Sequence, residues 1–106
     1  MDTKIVIRGV DDTAELRNFA DEKLAAGIER FHDHVLGATM RLEDVTGPEK
    51  HGVDKLCSIE VRLRKGEVRI KEEGEEFHAT IDVALDRMKA ALSRETGKAK
   101  RGIGEG

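Results

Sequence analysis

The sequence predicts an α+β domain: a two-layer sandwich in the order β-α-β-β-β-α, with two helices on one face of a four-stranded sheet. Three observations carry this. Apolar residues recur at helical spacing in only two segments, 13–31 and 77–92. Between them, three stretches joined by local connections alternate apolar with polar residues, the mark of antiparallel strands with one wet face. A sheet with one wet face leaves both helices to cover the other.

Residues 3–8, TKIVIR, are a short run rich in β-branched residues and read as the first strand. Asp12 is placed to cap the first helix, with Glu15 three positions on closing a capping box. Leu16, Ala20, Leu24, Gly27 and Phe31 form that helix's apolar stripe. A glycine there weakens the helix by about 1 kcal/mol relative to alanine, so Gly27 predicts close approach of another element. In 38–45, ATMRLEDV, the residues Ala38, Met40 and Leu42 share one side. TGPEKHG, 46–52, holds the chain's only proline and reads as a loop. KLCSIEVRLRK sets Cys57, Ile59, Val61 and Leu63 against Ser58, Glu60, Arg62 and Arg64. Lys65-Gly66 reads as a tight turn, and EVRIKE returns with Val68 and Ile70 inward.

Gly74, Glu75 and Glu76 open the second helix, with acids suited to its N-terminus. Phe77, Ile81, Ala84, Leu85, Met88 and Leu92 give it one apolar stripe. Gly97 reads as its end. Residues 1–97 are therefore expected to form the domain and 98–106 a flexible basic and glycine-rich tail.

A chain of 106 residues has room for one core. Its apolar fraction is 38% and its three aromatics are all Phe, so that core is aliphatic. Charged residues make up 39%, but the signs nearly cancel to a formal net charge of −3, which favours a folded chain over an acidic disordered one. MDTKIVIRG is too short and too charged for a signal peptide, and no run approaches the ~20 apolar residues of a membrane span. A single cysteine forms no internal disulfide and fits a reducing compartment. The expectation is a cytoplasmic protein with no membrane partner.

Catalytic signatures are missing: the sequence holds no phosphate-loop, dinucleotide or serine-nucleophile pattern. We expect no enzyme activity, no cofactor and no small-molecule substrate. Cys57 lies on the inward side of its strand, where a free cysteine packs as a small hydrophobe. His32 and His34 flank Asp33, but their spacing matches no closed zinc pattern, so a loop and not a metal site is expected. Glu75 and Glu76 resemble an acid/base pair, yet as first-turn acids they need no role beyond the helix dipole.

The cations say more. On a solvated helix face a cation usually has a carboxylate three or four residues away. Arg17 has Asp21, and Lys89 has Asp86. Lys23, Arg30, Arg87 and Arg94 have instead mostly small neighbours, Ala25 and Ala26 on one helix and Ala90 and Ala91 on the other. Lys98, Lys100 and Arg101 follow. Long cations above alanines suit a phosphate backbone, and a solvated face that lost its partners gives the same pattern. The wet sheet face also carries Arg62, Arg64, Arg69 and Lys71.

The stretch GEVRIKEEGEEFHATIDVALDRM resembles the end of the ribosome hibernation-promoting and ribosome-associated inhibitor family, also labelled sigma-54 modulation proteins. AELRNFADEKL resembles that family's first helix, ERFHDHV the segment entering its second strand, and DKLCSIEVR the third strand of a short subgroup. The likeness spans residues 3–96. It implies the fold of a double-stranded RNA-binding domain with an extra first strand. It also implies docking on the small ribosomal subunit, in the channel of mRNA and tRNA, with inhibition of translation and no catalysis. Lys23, Arg87 and Arg94 match basic positions of the family's helices. The second lysine usual in helix one is Ala26 or Gly27 here, and the usual Arg-Gln of helix two is Ala90-Ala91.

The expectation is thus a short-form stress or hibernation factor, a monomer off the ribosome, partnered by small-subunit rRNA. Its RNA-binding residues are Lys23, Arg30, Arg87, Arg94, Lys98, Lys100 and Arg101. Alternatives are a general RNA-binding module, or a protein-interaction domain using a sheet edge or the acidic row Glu15, Glu22 and Glu29.

Overall fold

The computed structural model describes residues 2–10, 13–45 and 52–105, with side chains as far as residue 97. The elements are β1 (Asp2–Arg8), α1 (Ala14–Ile28), a 3-10 turn (Glu29–Phe31), β2 (Val35–Asp44), β3 (Lys55–Leu63), β4 (Gly66–Gly74) and α2 (Phe77–Glu105). This is the predicted order and class. The strands lie in the order β1-β2-β3-β4. β1 pairs with β2 in parallel, as a strand returning through a crossover helix does, while the locally connected β2–β3 and β3–β4 pairs are antiparallel.

Register follows the side-chain alternation. Ile5, Met40, Ile59 and Ile70 form one row across the sheet, and Ile7, Leu42, Cys57 and Glu72 the next. Both rows face the helices. Over them α1 buries Leu16, Ala20, Leu24 and Ile28, and α2 buries Ile81, Ala84, Met88 and Leu92. The close approach at Gly27 is present: a Cβ there would stand 3.0 Å from Met88 Cε. Because β1 and β4 point the same way and each is followed by a helix folding back over it, α1 and α2 run parallel. Side-chain contacts confirm it. His78 at the start of α2 meets Glu15 at the start of α1 at 2.8 Å, and Arg30 beyond the end of α1 donates to Ser93 Oγ near the far end of α2 at 3.3 Å.

Four local expectations are corrected. The cap of α1 is Thr13, whose extended backbone lets its hydroxyl accept the Leu16 N–H at 3.1 Å; Asp12 lies outside the described residues. Glu15 does not close a capping box, since its carboxylate reaches across to His78. The hairpin turn is Arg64-Lys65, with Leu63 opposite Gly66, and Gly66 takes the left-handed conformation (φ 102°) that relieves the strain just after it. Gly97 does not end helix two. Its φ is not positive and nothing stands within 4 Å of its missing Cβ, so it is an open helical position with no left-handed cap, and the expected boundary after residue 97 falls inside α2.

Candidate nucleic-acid interface

The helices place the predicted cations on different flanks. Lys23 stands in the groove between α1 and α2, which is lined by Ala26, Gly27, Asp82, Asp86 and Lys89. Its ammonium lies 5.6 Å from the centre of the Phe19 ring. Arg30 belongs to the 3-10 turn and so leaves the helical register of Lys23. Its guanidinium covers Phe31 at 4.8 Å, and it lines a recess with His34, Ser93, Thr96 and Gly97.

Arg87 and Arg94 sit two turns apart on the other flank of α2, over β4. Here the sequence reading needs a correction. Arg87 is not free: it donates to the Lys71 carbonyl at 3.0 Å and forms an ion pair with Glu72. No neighbour along its own helix supplies a carboxylate, but β4 does. Arg94 is exposed and has no partner among the described residues. Of the supposed alanine floor, Ala25, Ala26 and Ala90 are exposed, while Ala91 is buried. Lys98, Lys100 and Arg101 lie on the helical backbone beyond, past the described side chains.

The parallel helices bring something else together. Their C-terminal ends lie side by side, and the antiparallel pairing of β2 with β3 delivers the β3–β4 turn to the same end. Arg64 Nε donates to the Asp33 carbonyl at 2.9 Å, and the Arg64 N–H to the His34 carbonyl at 2.9 Å. Arg30, Arg64, Lys65 and Arg94 therefore share one pole of the molecule. The opposite pole gathers Glu15, Glu43, Asp44, Asp54, Glu73, Glu75 and Glu76. Lys55 answers them there, bound to Asp44 at 3.0 Å and to Asp54 at 2.9 Å, and Arg8 stands opposite Glu43 at the end of β1. Each helix prefers acids at its start and cations at its end. The cations of the first pole stand among Asp2, Glu29, Asp33, Glu67 and Glu95, so the contrast between the two ends comes from the excess of acids at the second and from the cations that α2 adds past residue 97. Arg64 and Lys65 are the residues sequence reasoning missed, because it assigned Arg64 to the sheet face and read Lys65 only as part of a turn. The signal was available in the topology, since a helix antiparallel to the strand before it must end beside that strand's start.

At the acidic pole His78 bridges Glu15 at 2.8 Å and Glu76 at 3.2 Å, and its ring packs on Phe19 with centroids 4.3 Å apart. The Glu15 hydrogen bond, aided by Glu76, raises the imidazole above its ordinary value. Glu76 in turn caps α2. Its carboxylate accepts the backbone N–H groups of His78 and Ala79, and the first of these bonds holds it below the usual carboxylate range. Glu75 and Glu76 line an open recess with Thr13, Glu15, Lys55 and His78, where the Glu76 carboxylate is engaged in capping α2. The acidic row Glu15, Glu22 and Glu29 is broken, with Glu15 engaged by His78 and Glu29 in the 3-10 turn. Cys57 is fully buried, and burial, with the charge of Glu72 behind it, pushes its thiol up to about 12. His32 contacts Asp33 at 3.2 Å, and among the described residues no three His, Cys, Asp or Glu side chains converge to hold a metal. Nor is any described helix long and apolar enough to cross a membrane.

Residues 3–100 match the family described as sigma 54 modulation protein / S30EA ribosomal protein. The chain belongs to that family. Within the S30EA fold, the N-terminal domain of Protein Y from Thermus thermophilus is 30% identical, with a TM-score of 0.72 over 89% of this chain and 98% of that one. A ribosomal subunit interface protein from Coxiella burnetii superposes with a TM-score of 0.77 over 92% of this chain and 100% of its own; at 19% identity it attests the S30EA architecture alone. No curated protein matches the chain in sequence.

Proposed function

We propose that the protein is a ribosome-associated stress or hibernation factor. It sets its basic pole against small-subunit rRNA, occupies the channel used by mRNA and tRNA, and so keeps idle ribosomes out of translation. Membership in the S30EA ribosomal protein family supports a ribosomal partner. The observation that carries the reading is the pole itself: on a chain of net charge −3, Arg30, Arg64, Lys65 and Arg94 converge where both helices end, and α2 continues with Lys98, Lys100 and Arg101.

Such an end attracts a phosphate backbone and gains affinity by releasing its counterions. It carries no bare aromatic platform. Phe31 is buried beneath Arg30, Phe19 lies under Lys23 and His78, and Phe77 is buried. Recognition is therefore of backbone and shape and not of stacked bases. Lys23 and Arg87 join when phosphate replaces the carboxylates near them, Asp82 and Asp86 for the first and Glu72 for the second. No bond is made or broken. The protein acts as a cytoplasmic monomer until it docks.

The test is cosedimentation with purified small subunits through sucrose, comparing the wild type with Arg30→Glu/Arg94→Glu at low and moderate salt. The wild type should sediment with the subunit and lose affinity with salt at roughly 0.7 log units per contact. The double variant, with a native melting transition, should stay at the top of the gradient. A folded double variant that sediments like the wild type would remove the pole from the interface. Equal retention on any RNA would reduce the protein to a general RNA-binding module.

A further inference from the structure

The sheet face turned away from the helices is not uniformly charged. Its rows, read across β1 to β4 from the basic pole, begin with Asp2, Gly37, Arg62 and Glu67, followed by Lys4, Thr39, Glu60 and Arg69. In these rows Glu60 and Glu67 are used internally, since Arg69 pairs with Glu60 at 3.5 Å and with Glu67 at 3.3 Å. The next row differs. It consists of Val6, Arg41, Ser58 and Lys71, with two cations, one hydroxyl and no carboxylate. Arg41 and Lys71 are both exposed, and neither side chain has a carboxylate partner among the described residues. They flank a shallow notch of about 370 Å³ whose walls include the Thr39 and Ser58 hydroxyls and, on its other side, Glu60 with its partner Arg69. Lying two strands apart, about 10 Å, they can lean together over the Ser58 hydroxyl between them.

We infer that this notch is a second RNA contact, in which Arg41, Lys71 and the Ser58 hydroxyl hold a backbone phosphate of a single-stranded segment. The inference rests on the reading that the chain meets RNA, though not on its docking to ribosomes. The occupant follows from the chemistry of the row. The two free cations and the hydroxyl are complementary to a phosphodiester. No aromatic side chain lies on this face, so a nucleobase has nothing to stack on. The site is open to water, where a lone inorganic anion is held weakly. A strand gains from the release of condensed counterions along its length. A path is also present: Ser58 is six residues from Arg64 along the β3–β4 hairpin, about 20 Å, with Arg62 and the Arg69-paired Glu60 between them. A strand engaged at the basic pole reaches the notch by following that hairpin.

The experiment titrates 15N-labelled full-length protein with a twelve-nucleotide oligouridylate, and separately with inorganic phosphate at the same phosphate concentration. The amides of Arg41, Ser58 and Lys71 should shift and saturate with the oligonucleotide and stay in place with phosphate. Arg41→Glu/Lys71→Glu should weaken oligonucleotide binding roughly tenfold at low salt and reduce the log-log salt slope by about 1.4, two contacts' worth. Arg41→Ala/Lys71→Ala gives the same slope change should the reversal disturb the sheet. Absence of shifts at the notch, or an unchanged slope in the folded variants, would overturn the inference. So would equal shifts with phosphate alone, which would make it a free-anion site. Subunit cosedimentation reads the pole and the oligonucleotide reads the notch, so either proposal can fail while the other stands.

Discussion

Replacing His78 with Gln tests the clamp that ties the two helix starts together. In the native protein the imidazole sits between two carboxylates, Glu15 from α1 and Glu76 at the head of α2, and rests on the Phe19 ring. Its protonated form is favoured there, so its native pKa lies above its ordinary value. A raised native pKa means that the stabilisation is fully present below about pH 6.5, the unfolded value, and is lost as the pH climbs through the native one. The side chain is 40% exposed, so the screened value for a surface pair applies, about 0.5–1 kcal/mol. Gln keeps a donor and some of the contact with Phe19 but cannot carry the charge. Urea unfolding at pH 5.5 and pH 8.5 should show the wild type ahead of the variant by about 0.5–1 kcal/mol at the lower pH, a gap of roughly 2–8 °C in melting temperature for a domain of this size. At the higher pH the gap should close. Glu76 works in the opposite direction: its pKa is lowered, so its contribution is present above the ordinary carboxylate value and fades as the pH falls through the native one. The two windows overlap between roughly pH 4.5 and 6.5. A gap that is constant with pH, or that widens on the alkaline side, would refute the clamp.

Cys57, fully buried with its thiol pushed up to about 12, should resist a thiol reagent in the native state and label at the rate of a free peptide thiol once unfolded. Gly27→Leu should cost about 1–3 kcal/mol in chemical denaturation by overfilling the site against Met88, whereas Gly27→Ala should be near neutral, because its helix propensity gain offsets a 3.0 Å contact with a movable methyl. Arg87→Met should weaken subunit cosedimentation less than Arg94→Met, since what Arg87 gains from phosphate is offset by giving up Glu72; an equal loss would mean that giving up that carboxylate costs nothing.

Much of this was legible in the sequence because it is local. The alternation of Cys57, Ile59, Val61 and Leu63 fixes the strand face, and the stripe from Ile81 to Leu92 fixes the helix face, through backbone periods of two and 3.6 residues. Gly27 could be read because a glycine on an apolar stripe has few other uses. What stayed hidden depends on partners distant in sequence. Arg87 looked unpaired because a search three or four residues along its helix cannot see Glu72 on β4. Thr13 displaced Asp12 as the cap because both residue types suit the role, and the choice turns on backbone angles that neither side chain dictates. The basic pole was visible only in halves. Arg64 and Arg94 come together through the direction in which two helices run, which no single segment records.

The same separation of charge predicts how salt acts on RNA association. At physiological ionic strength the Debye length is about 8 Å, whereas the molecule extends 52 × 28 × 17 Å. RNA at the basic pole is then screened from the acidic pole, and the net charge of −3 has little say in binding. Near 0.01 M salt the Debye length grows to about 30 Å, comparable with the distance between the poles. RNA bound to Arg30, Arg64 and Arg94 would then be repelled by Glu15, Glu75 and Glu76 at the far end. The log-log plot of affinity against salt should therefore be straight at moderate salt, where counterion release sets its slope, and flatten as salt falls toward 0.01 M. Fluorescence anisotropy of a labelled oligonucleotide across that range reads the curve directly. Glu75→Gln/Glu76→Gln should straighten its low-salt end without altering the slope at moderate salt, because neither residue touches the RNA. A wild-type plot that stays straight down to 0.01 M would mean that the acidic pole lies too far from the bound strand, or is too well paired through His78 and Lys55, to be felt.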